Sequence, residues 1–324
     1  MGSTPEKRRR SEAVEEVYGI LDKRNIQYVQ FGLNKRFSTW YGSNVYFGKD
    51  KRTLGFKELN EEGSLPGSQN GHIGQNETDN SEYWLETLYV CEYCFRYTDI
   101  EQELVMHEKC CTYKNHPPGK IYYRSPQYTI RRVKGSKHEN FCQCLCLFTK
   151  LFLDNKSVYF KVKQFEFYIV YATNSTVPMA FFSKDLYSYQ ENNLACILVF
   201  PPYQRKKLGT LLIEFSYLLS RRQNIISGPE LPLSPFGLIG YLKFWSFSIV
   251  WQLTEGELRD AAYITIREIS EVTGFRIRDV IQALKYLKCL RGDEINLNVI
   301  RSWARSNKVS QGFMIENEYV LFDD

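Results

Sequence analysis

The sequence predicts a mixed α+β fold built around one large domain. Strand-like and helix-like segments interleave along the chain without strict alternation, which favours an α+β or mixed α/β architecture. The chain has 324 residues, of which 43% are hydrophobic and 15% aromatic, so it can bury a sizeable core. We expect a basic tail up to residue 24 and a folded domain from residue 25 to residue 324.

Individual elements follow from local composition and periodicity. Strands are predicted where β-branched and aromatic residues cluster, and helices where apolar residues recur every three or four positions. A stretch rich in Gly, Asn and Ser predicts a disordered insert at residues 60–80. The expected strands cover residues 27–47, 158–162, 165–172, 194–200 and 316–322. The expected helices cover residues 140–153, 208–222, a segment after Gly240, and two helices on either side of Thr273-Gly274.

Charge and cysteine usage limit the class of protein. The formal net charge of +5 permits association with nucleic acid or chromatin without requiring it. The polar N-terminus does not resemble a secretory signal, and no apolar run approaches the roughly 18 to 20 residues that span a bilayer. Nine cysteines without such a signal predict reduced thiols in an intracellular protein. The basic cluster Lys7–Arg10 fits a nuclear import signal or a solvated tail equally well.

Four residues have the spacing of a structural zinc finger. The pattern C-x2-C-x12-H-x3-C is formed by Cys91, Cys94, His107 and Cys111. A tight turn brings the first two thiolates together, and a helix places His107 and Cys111 on one face because they are four residues apart. Cys110 is a competing ligand that this geometry disfavours. A closed tetrahedral site stabilises the fold and leaves no position open for catalysis.

An anion-binding turn is predicted after the apolar run at residues 194–200. Pro201 and Pro202 end that strand, and the basic segment Gln204–Gly209 leads into the helix at 208–222. Free backbone N–H groups at the helix start, the helix dipole and the basic side chains all favour a pyrophosphate. A structural turn with surface lysines explains the same residues, so the motif alone leaves both interpretations open.

Several segments, taken in order, resemble the MYST family of histone acetyltransferases over nearly the whole chain. The acetyl-CoA motif of that family, Q/R-x-x-G-x-G/A, is similar to Gln204–Gly209, and its zinc finger is similar to CEYCFRYTDIEQELVMHEKCC. Its catalytic loop and central helix are similar to SGPELPLSPFGLIGY and FCQCLCLFTKLFLDNK. One position departs from the family. Lys207 stands where the motif has its first glycine, a residue that allows a positive φ or a close approach of phosphates.

The resemblance implies a fold in three parts. Residues 25–120 would form an N-terminal part with a C2HC zinc finger at 91–111, and residues 121–245 a GNAT-like core that binds acetyl-CoA. Residues 246–324 would form a C-terminal part that resembles a helix-turn-helix. The implied contacts with the cofactor fall at Ile197, Leu198, Val199, Arg205, Lys206, Lys207, Leu208, Gly209, Thr210 and Ser234.

The resemblance also implies the chemistry. A substrate lysine, whose reference pKa is about 10.4, must lose a proton before it attacks a thioester, and the general base of the family falls at Glu230. Cys196 corresponds to the family cysteine beside the acetyl group, and we expect direct attack rather than an acetyl-cysteine intermediate. Lys156 matches the lysine that the family acetylates on itself. The sequence therefore predicts a histone lysine acetyltransferase that uses acetyl-CoA and holds a structural zinc.

The short N-terminal extension is similar to that of the small silencing member of the family in fungi. This likeness implies a histone H4 tail as substrate, non-catalytic complex subunits as partners, a nuclear location and a role in silencing, and nucleosomal DNA contact is compatible with it. Two alternatives are a catalytically weak or dead scaffold in a chromatin complex, suggested by Lys207, and a nucleic-acid-binding module. In such a module, the phosphate contacts would come from Arg276, Arg278, Lys285, Lys288 and Arg291.

Overall fold

The computed structural model of the protein describes residues 24–47, 84–153, 158–292 and 294–321. The chain divides into two compact units. Unit 1 comprises Met1–His116 and Asn140–Phe160, and unit 2 comprises Pro117–Glu139 and Lys161–Asp324. Most of the predicted basic tail, the insert at 60–80 and Lys156 lie outside the described residues, and the three-part division of the domain stays a prediction. No helix in the described ranges is long and apolar enough to cross a membrane.

Within its described residues, unit 1 contains a four-stranded sheet and two helices. The strands are β1 (Ile26–Phe31), β2 (Lys35–Ser38), β3 (Leu85–Val90) and β4 (Tyr97–Thr98), in the order β2-β1-β3-β4. The helices are α1 (Glu101–Cys110) and α2 (Glu139–Lys150). Phe31 on β1 stacks on Phe148 of α2, with ring centroids 5.1 Å apart, and on Phe95, with centroids 5.9 Å apart. Because Phe95 follows Cys94, this aromatic core anchors the turn that carries the first two predicted zinc ligands.

Unit 2 is organised around a five-stranded antiparallel sheet. Its strands are β5 (Lys120–Arg124), β6 (Tyr128–Lys134), β7 (Phe165–Ala172), β8 (Pro178–Asp185) and β10 (Cys196–Val199), in the order β10-β8-β7-β6-β5. Two short strands, β9 (Asn192–Leu194) and β11 (Gly228–Pro229), form a separate parallel pair. Helix α3 (Leu208–Arg222) has the predicted bounds, and all of its residues from 211 to 220 are buried. Leu212 and Phe215 share a core cluster with Ile130 and Val170 of the sheet.

The C-terminal part of unit 2 is mainly helical. It contains α4 (Pro235–Thr254), α5 (Ile266–Thr273), α6 (Ile277–Leu287) and α7 (Leu297–Ser306), with a hairpin of β12 (Leu290–Arg291) and β13 (Glu294–Ile295). A capping box starts α5, because the Glu268 N–H donates to Thr265 Oγ1 at 3.1 Å and the Thr265 N–H donates to the Glu268 carboxylate at 2.7 Å. Gly274 ends this helix with a φ of 74°. The mixed α+β fold and the two helices around Thr273-Gly274 are therefore confirmed.

One predicted strand is wrong, and another is divided. The segment Val158–Gln164 is a 3-10 helix with a kink at Lys161. Its residues favour a strand, but tertiary packing decides the conformation. The backbone of this segment lies directly on Gly135, where an added Cβ would be only 1.7 Å from the Val162 carbonyl oxygen. The apolar run at 194–200 is two strands, β9 and β10, that belong to different sheets.

Two further boundaries differ from the prediction. The helix expected after Gly240 begins at Pro235, because Ser234 caps it by accepting the Gly237 N–H on its hydroxyl at 3.1 Å. The strand-like end of the chain forms a 3-10 helix at Asn317–Tyr319, followed by a single bridge from Val320 to Tyr123. Both differences arise from side chains or partners that apolar periodicity does not record.

A buried carboxylate ties α3 to the C-terminal segment. Glu214 is only 3% exposed, and its two carboxylate oxygens accept the backbone N–H groups of Met314 at 3.0 Å and Ile315 at 2.6 Å. Burial raises the pKa of Glu214 to about 7, although the two backbone hydrogen bonds oppose this shift. The folded protein therefore holds this proton at pH values where the unfolded chain, with an ordinary carboxyl pKa of 4.5, has released it.

We expect Glu214 to make the free energy of unfolding fall as the pH rises. Its contribution to stability is complete below a pH of 4.5 and is lost as the pH passes about 7, the folded-state pKa. A shift of this size corresponds to about 3 kcal/mol. Glu214→Gln cannot ionise, so between pH 5 and pH 8 it should lose less stability than the parent in denaturant titrations. Glu271→Gln, on the exposed face of α5, is the control, and identical pH dependence in Glu214→Gln and the parent would contradict the assignment.

Candidate active site and metal centre

The four predicted zinc ligands come together in unit 1. The ligand atoms of Cys91, Cys94, His107 and Cys111 all lie within 4.8 Å of one another. Cys91 Sγ is 3.8 Å from Cys111 Sγ, and Cys94 Sγ is 3.1 Å from His107 Nε2. Two thiolates bound at about 2.3 Å to a tetrahedral zinc are themselves about 3.8 Å apart. Three thiols and one imidazole at these distances therefore fit a closed structural zinc site.

The structure places the Cys111 thiol, and not that of Cys110, in the four-residue group, but for a different reason from the predicted one. Helix α1 ends at Cys110, and Cys111 takes an extended backbone with φ −63° and ψ 113°. Its thiol reaches the cluster because the chain leaves the helix there, not through a shared helical face. Cys110 is exposed, with its sulfur 3.3 Å from the His107 carbonyl oxygen.

We expect Cys111→Ser to abolish tight zinc binding and Cys110→Ser to retain it. A serine hydroxyl does not replace the soft thiolate that selects zinc. Metal analysis of the dialysed full chain gives the stoichiometry, and thermal unfolding reports the folding energy that a structural zinc supplies. Retention of one zinc per chain in Cys111→Ser, or its loss from Cys110→Ser, would show that the ligand set is wrong.

In unit 2, the predicted catalytic residues lie where one apolar run divides into two strands. Strand β9 ends at Leu194 and β10 begins at Cys196. Between them, the Ala195 N–H donates to the Ser183 carbonyl at 2.7 Å, and the Cys196 N–H donates to Ser183 Oγ at 3.2 Å. Ser183 on β8 is fully buried. This one residue therefore accepts both N–H groups at the point where the strands part.

Strand β10 leads directly into the predicted anion-binding turn. It is the edge strand of its sheet, and a Cβ added to Gly209 at the start of α3 would lie 3.8 Å from Val199 Cγ2. The intervening loop contains two residues other than glycine with a left-handed backbone, Arg205 at φ 64° and Lys207 at φ 60°. The residues from Gln204 to Lys207 are all exposed. The end of the strand, the turn and the helix start are thus adjacent, as predicted.

The start of α3 offers backbone donors. The first N–H groups of an α-helix have no acceptor within the helix, and the backbone bond from the Leu211 N–H to the Lys207 carbonyl, at 3.0 Å, is the first of α3. No side chain in the described part of the chain caps this end. The N–H groups of Leu208, Gly209 and Thr210 therefore precede the intrahelical bonds. Together with the exposed basic turn, they suit a pyrophosphate.

Glu230 lies beside the strand that leads to Cys196. Strand β11 pairs in parallel with β9, and the Glu230 N–H donates to the Leu194 carbonyl at 2.8 Å. Cys196 is 5% exposed, whereas Glu230 is partly buried. The structure therefore brings both predicted catalytic residues to the C-terminal end of β9. Ser234, a predicted cofactor contact, is exposed and has a structural role as the cap of α4.

Arg276 does not fit the alternative in which it contacts nucleic-acid phosphates. Its guanidinium donates to the Gln190 carbonyl at 2.6 Å, to Asn192 Oδ1 at 2.8 Å and to the Pro229 carbonyl at 3.3 Å. The side chain is thus engaged within the protein, where it bonds both strands of the β9–β11 pair. No local motif identifies this role, because the partners are 47 to 86 positions away in the sequence.

Comparison with known proteins places the chain in a family. Residues 116–320, more than half of the chain, match the model described as the MOZ/SAS family, and the chain belongs to that family. It is 56% identical over 312 residues to histone acetyltransferase SAS2 of Saccharomyces cerevisiae, covering 96% of this chain and 89% of that protein. It is 40% identical to histone acetyltransferase MOF of Drosophila melanogaster, over 63% of this chain and 25% of that protein. The resemblance predicted from the motifs, including that to a small fungal member, is confirmed.

Lys207 has the backbone conformation that favours glycine, which leads to a prediction about stability. A left-handed backbone costs an L-residue roughly 1–2 kcal/mol, and glycine removes this cost but adds a comparable entropy to the unfolded chain. Lys207→Gly should therefore change the free energy of unfolding by less than about 1 kcal/mol, whereas the β-branched Lys207→Val should lower it by about 1–2 kcal/mol. Denaturant unfolding measures both, with Lys206→Val as the matched control for the lost charge. Equal effects of the two Lys207 variants would contradict the left-handed conformation.

Proposed function

We propose that this chain transfers an acetyl group from acetyl-CoA to the ε-amino group of a histone-tail lysine. One observation carries the proposal. Glu230 lies at the start of β10, and the basic turn before α3 lies at its end, roughly 10 Å away along the strand. An extended cofactor arm on the open edge of β10 would join the two sites through backbone hydrogen bonds. The relatives, each a histone acetyltransferase by name, support this reaction.

The chemistry requires one general base, and we assign that role to Glu230. Acetyl-CoA supplies the thioester carbonyl carbon. The Glu230 carboxylate accepts a proton from the incoming lysine ammonium, and the neutral amine then attacks that carbon. The new C–N bond forms as the C–S bond breaks, the departing sulfur takes the second proton from the nitrogen, and CoA leaves as the thiol. Glu230 then releases the first proton to solvent. Cys196, buried at the start of β10, lines the acetyl position, and direct attack does not require its acetylation.

The conformation of Lys207 argues against a catalytically dead scaffold. Its φ of 60° is the conformation that the motif glycine would allow, so the turn has the required backbone without that glycine. The side chain is exposed and adds a positive charge beside the helix start. Both observations support a working site in which the Lys207 ammonium contacts a cofactor phosphate.

The finer assignments extend this proposal. From the family resemblance we propose a histone H4 tail as substrate, non-catalytic subunits as partners, a nuclear location, a role in silencing and self-acetylation at Lys156. The similarity to SAS2 over 96% of the chain supports the choice of family member. Contact with nucleosomal DNA is supported by exposed basic residues on and after α6, namely Arg278, Lys285, Lys288 and Arg291.

We expect Glu230→Gln to lower kcat/KM for a histone H4 peptide by about 10²–10⁴-fold at pH 7, because it removes the general base. The rate of the variant should rise with pH as more of the substrate amine becomes neutral. Its affinity for acetyl-CoA should not change, since glutamine keeps the side-chain volume and the backbone bond to Leu194. Steady-state acetylation between pH 7 and pH 9.5, together with calorimetry for acetyl-CoA, measures each quantity.

Two outcomes of this experiment separate the parts of the proposal. If Glu230→Gln has the rates of the parent at every pH, Glu230 is not the general base, although the acetyl transfer itself is still supported. Failure of the parent chain to bind acetyl-CoA would reject the acetyltransferase function itself. Glu271→Gln on α5 is the control for the loss of one carboxylate and should keep the parent rate.

A further inference from the structure

The peptide group between Pro229 and Glu230 is held at both of its polar atoms. The carbonyl oxygen of Pro229 accepts from Arg276 Nη1 at 3.3 Å, and the N–H of Glu230 donates to the Leu194 carbonyl at 2.8 Å. A peptide group is planar, so hydrogen bonds at both of its polar atoms restrict the position and tilt of its plane. That plane includes the Glu230 Cα, so it fixes the point from which the Glu230 side chain leaves the backbone and, together with the φ of Glu230, the direction of that side chain.

The same guanidinium also holds the neighbouring strand. Arg276 Nη2 donates to the Gln190 carbonyl at 2.6 Å and to Asn192 Oδ1 at 2.8 Å. Asn192 belongs to β9, the strand whose Leu194 accepts the Glu230 N–H. One planar side chain thus links both strands that position Glu230. The compact ammonium of a lysine does not offer this fork of donors.

The start of helix α6 holds Arg276 beside the segment that precedes Glu230. Arg276 is the N-cap residue of α6, and the Ser227 N–H donates to the Gly274 carbonyl at 3.0 Å just before it. Asp279 in the first turn of α6 is 3% exposed, and a Cβ added to Gly228 would lie 2.5 Å from its carboxylate oxygen. A side chain at position 228 would therefore displace the Asp279 carboxylate, so the segment before Glu230 packs directly against the start of α6.

We propose that Arg276 is a positioning residue that orients Glu230 for removal of the proton from the substrate lysine. The inference rests on the proposed role of Glu230 as the base. A base acts only within hydrogen-bond reach of its proton, and a misplacement of about 1 Å can cost about 100-fold in rate. Arg276 acts through the backbone of Glu230 and does not itself contact the reacting atoms.

The first test is a set of single variants assayed with acetyl-CoA and a histone H4 peptide. Arg276→Ala should lower kcat about 10- to 100-fold and leave the KM for acetyl-CoA within about threefold of the parent. Arg276→Lys keeps the positive charge but not the several planar N–H donors of the guanidinium, so its kcat should be only slightly higher than that of Arg276→Ala. Arg267→Ala, on the exposed face of α5, removes the same charge and should keep the parent kcat.

The double variant Arg276→Ala/Glu230→Gln distinguishes positioning from a general structural effect. If Arg276 acts through Glu230, the double variant is no slower than Glu230→Gln alone. If the kcat losses of the two single variants multiply in the double variant, the proposal is overturned, because Arg276 would then contribute by a route that does not involve Glu230. Parent-like activity of Arg276→Ala beside an impaired Glu230→Gln rejects only the positioning role. Parent-like activity of Glu230→Gln rejects the base, and the positioning role with it.

Arg276→Gln covers the case in which the alanine variant does not fold. Its amide keeps one donor for the strand pair, and thermal unfolding with acetyl-CoA calorimetry verifies the fold. A reduced kcat at unchanged acetyl-CoA affinity in this folded variant supports the proposal, and an unchanged kcat overturns it.

Discussion

Every part of the candidate active site depends on the division of one apolar run at Ala195. Before this residue, β9 pairs with β11 and fixes the backbone of Glu230. After it, β10 pairs with β8 and carries Cys196 toward the basic turn. The division is stable because Ser183 accepts the two N–H groups at the junction, each of which would cost about 1–3 kcal/mol if buried without a partner. The arrangement of base and anion site thus follows from backbone hydrogen bonding as much as from side chains.

Features with a local cause were predictable from the sequence. The bounds of α3 follow from the proline pair before it, its apolar face and its terminal arginines, and the structure has the same bounds. The spacing of cysteines and histidine likewise predicted the four residues that the fold brings together as a zinc-finger-like group. The geometry was harder to predict, because Cys111 reaches the metal cluster only through the end of α1, and helix ends are the least certain feature of a periodic pattern.

Features with a distant cause were not predictable in the same way. The run at 194–200 has the composition of a single buried strand, because composition does not record which sheet each residue joins. The segment at 158–162 has β-favouring residues, yet its backbone fits against Gly135 as a 3-10 helix. Arg276 has the appearance of a surface cation after a turn, and only the fold brings Gln190 and Pro229 to its guanidinium. In each case the deciding partner lies far away in the sequence.

The distribution of backbone strain indicates what this part of the fold preserves. Several left-handed residues other than glycine simply follow helix ends, where that conformation is ordinary, namely Asn224, Lys288 and Lys308. In contrast, Glu191 precedes β9, and Arg205 and Lys207 follow β10, each with a φ between 52° and 64°. Such strain persists only where the surrounding structure imposes it, and it is common at functional sites. These three residues lie just before β9 and just after β10, at the two ends of the divided run. We therefore infer that the surrounding contacts maintain the division at Ala195.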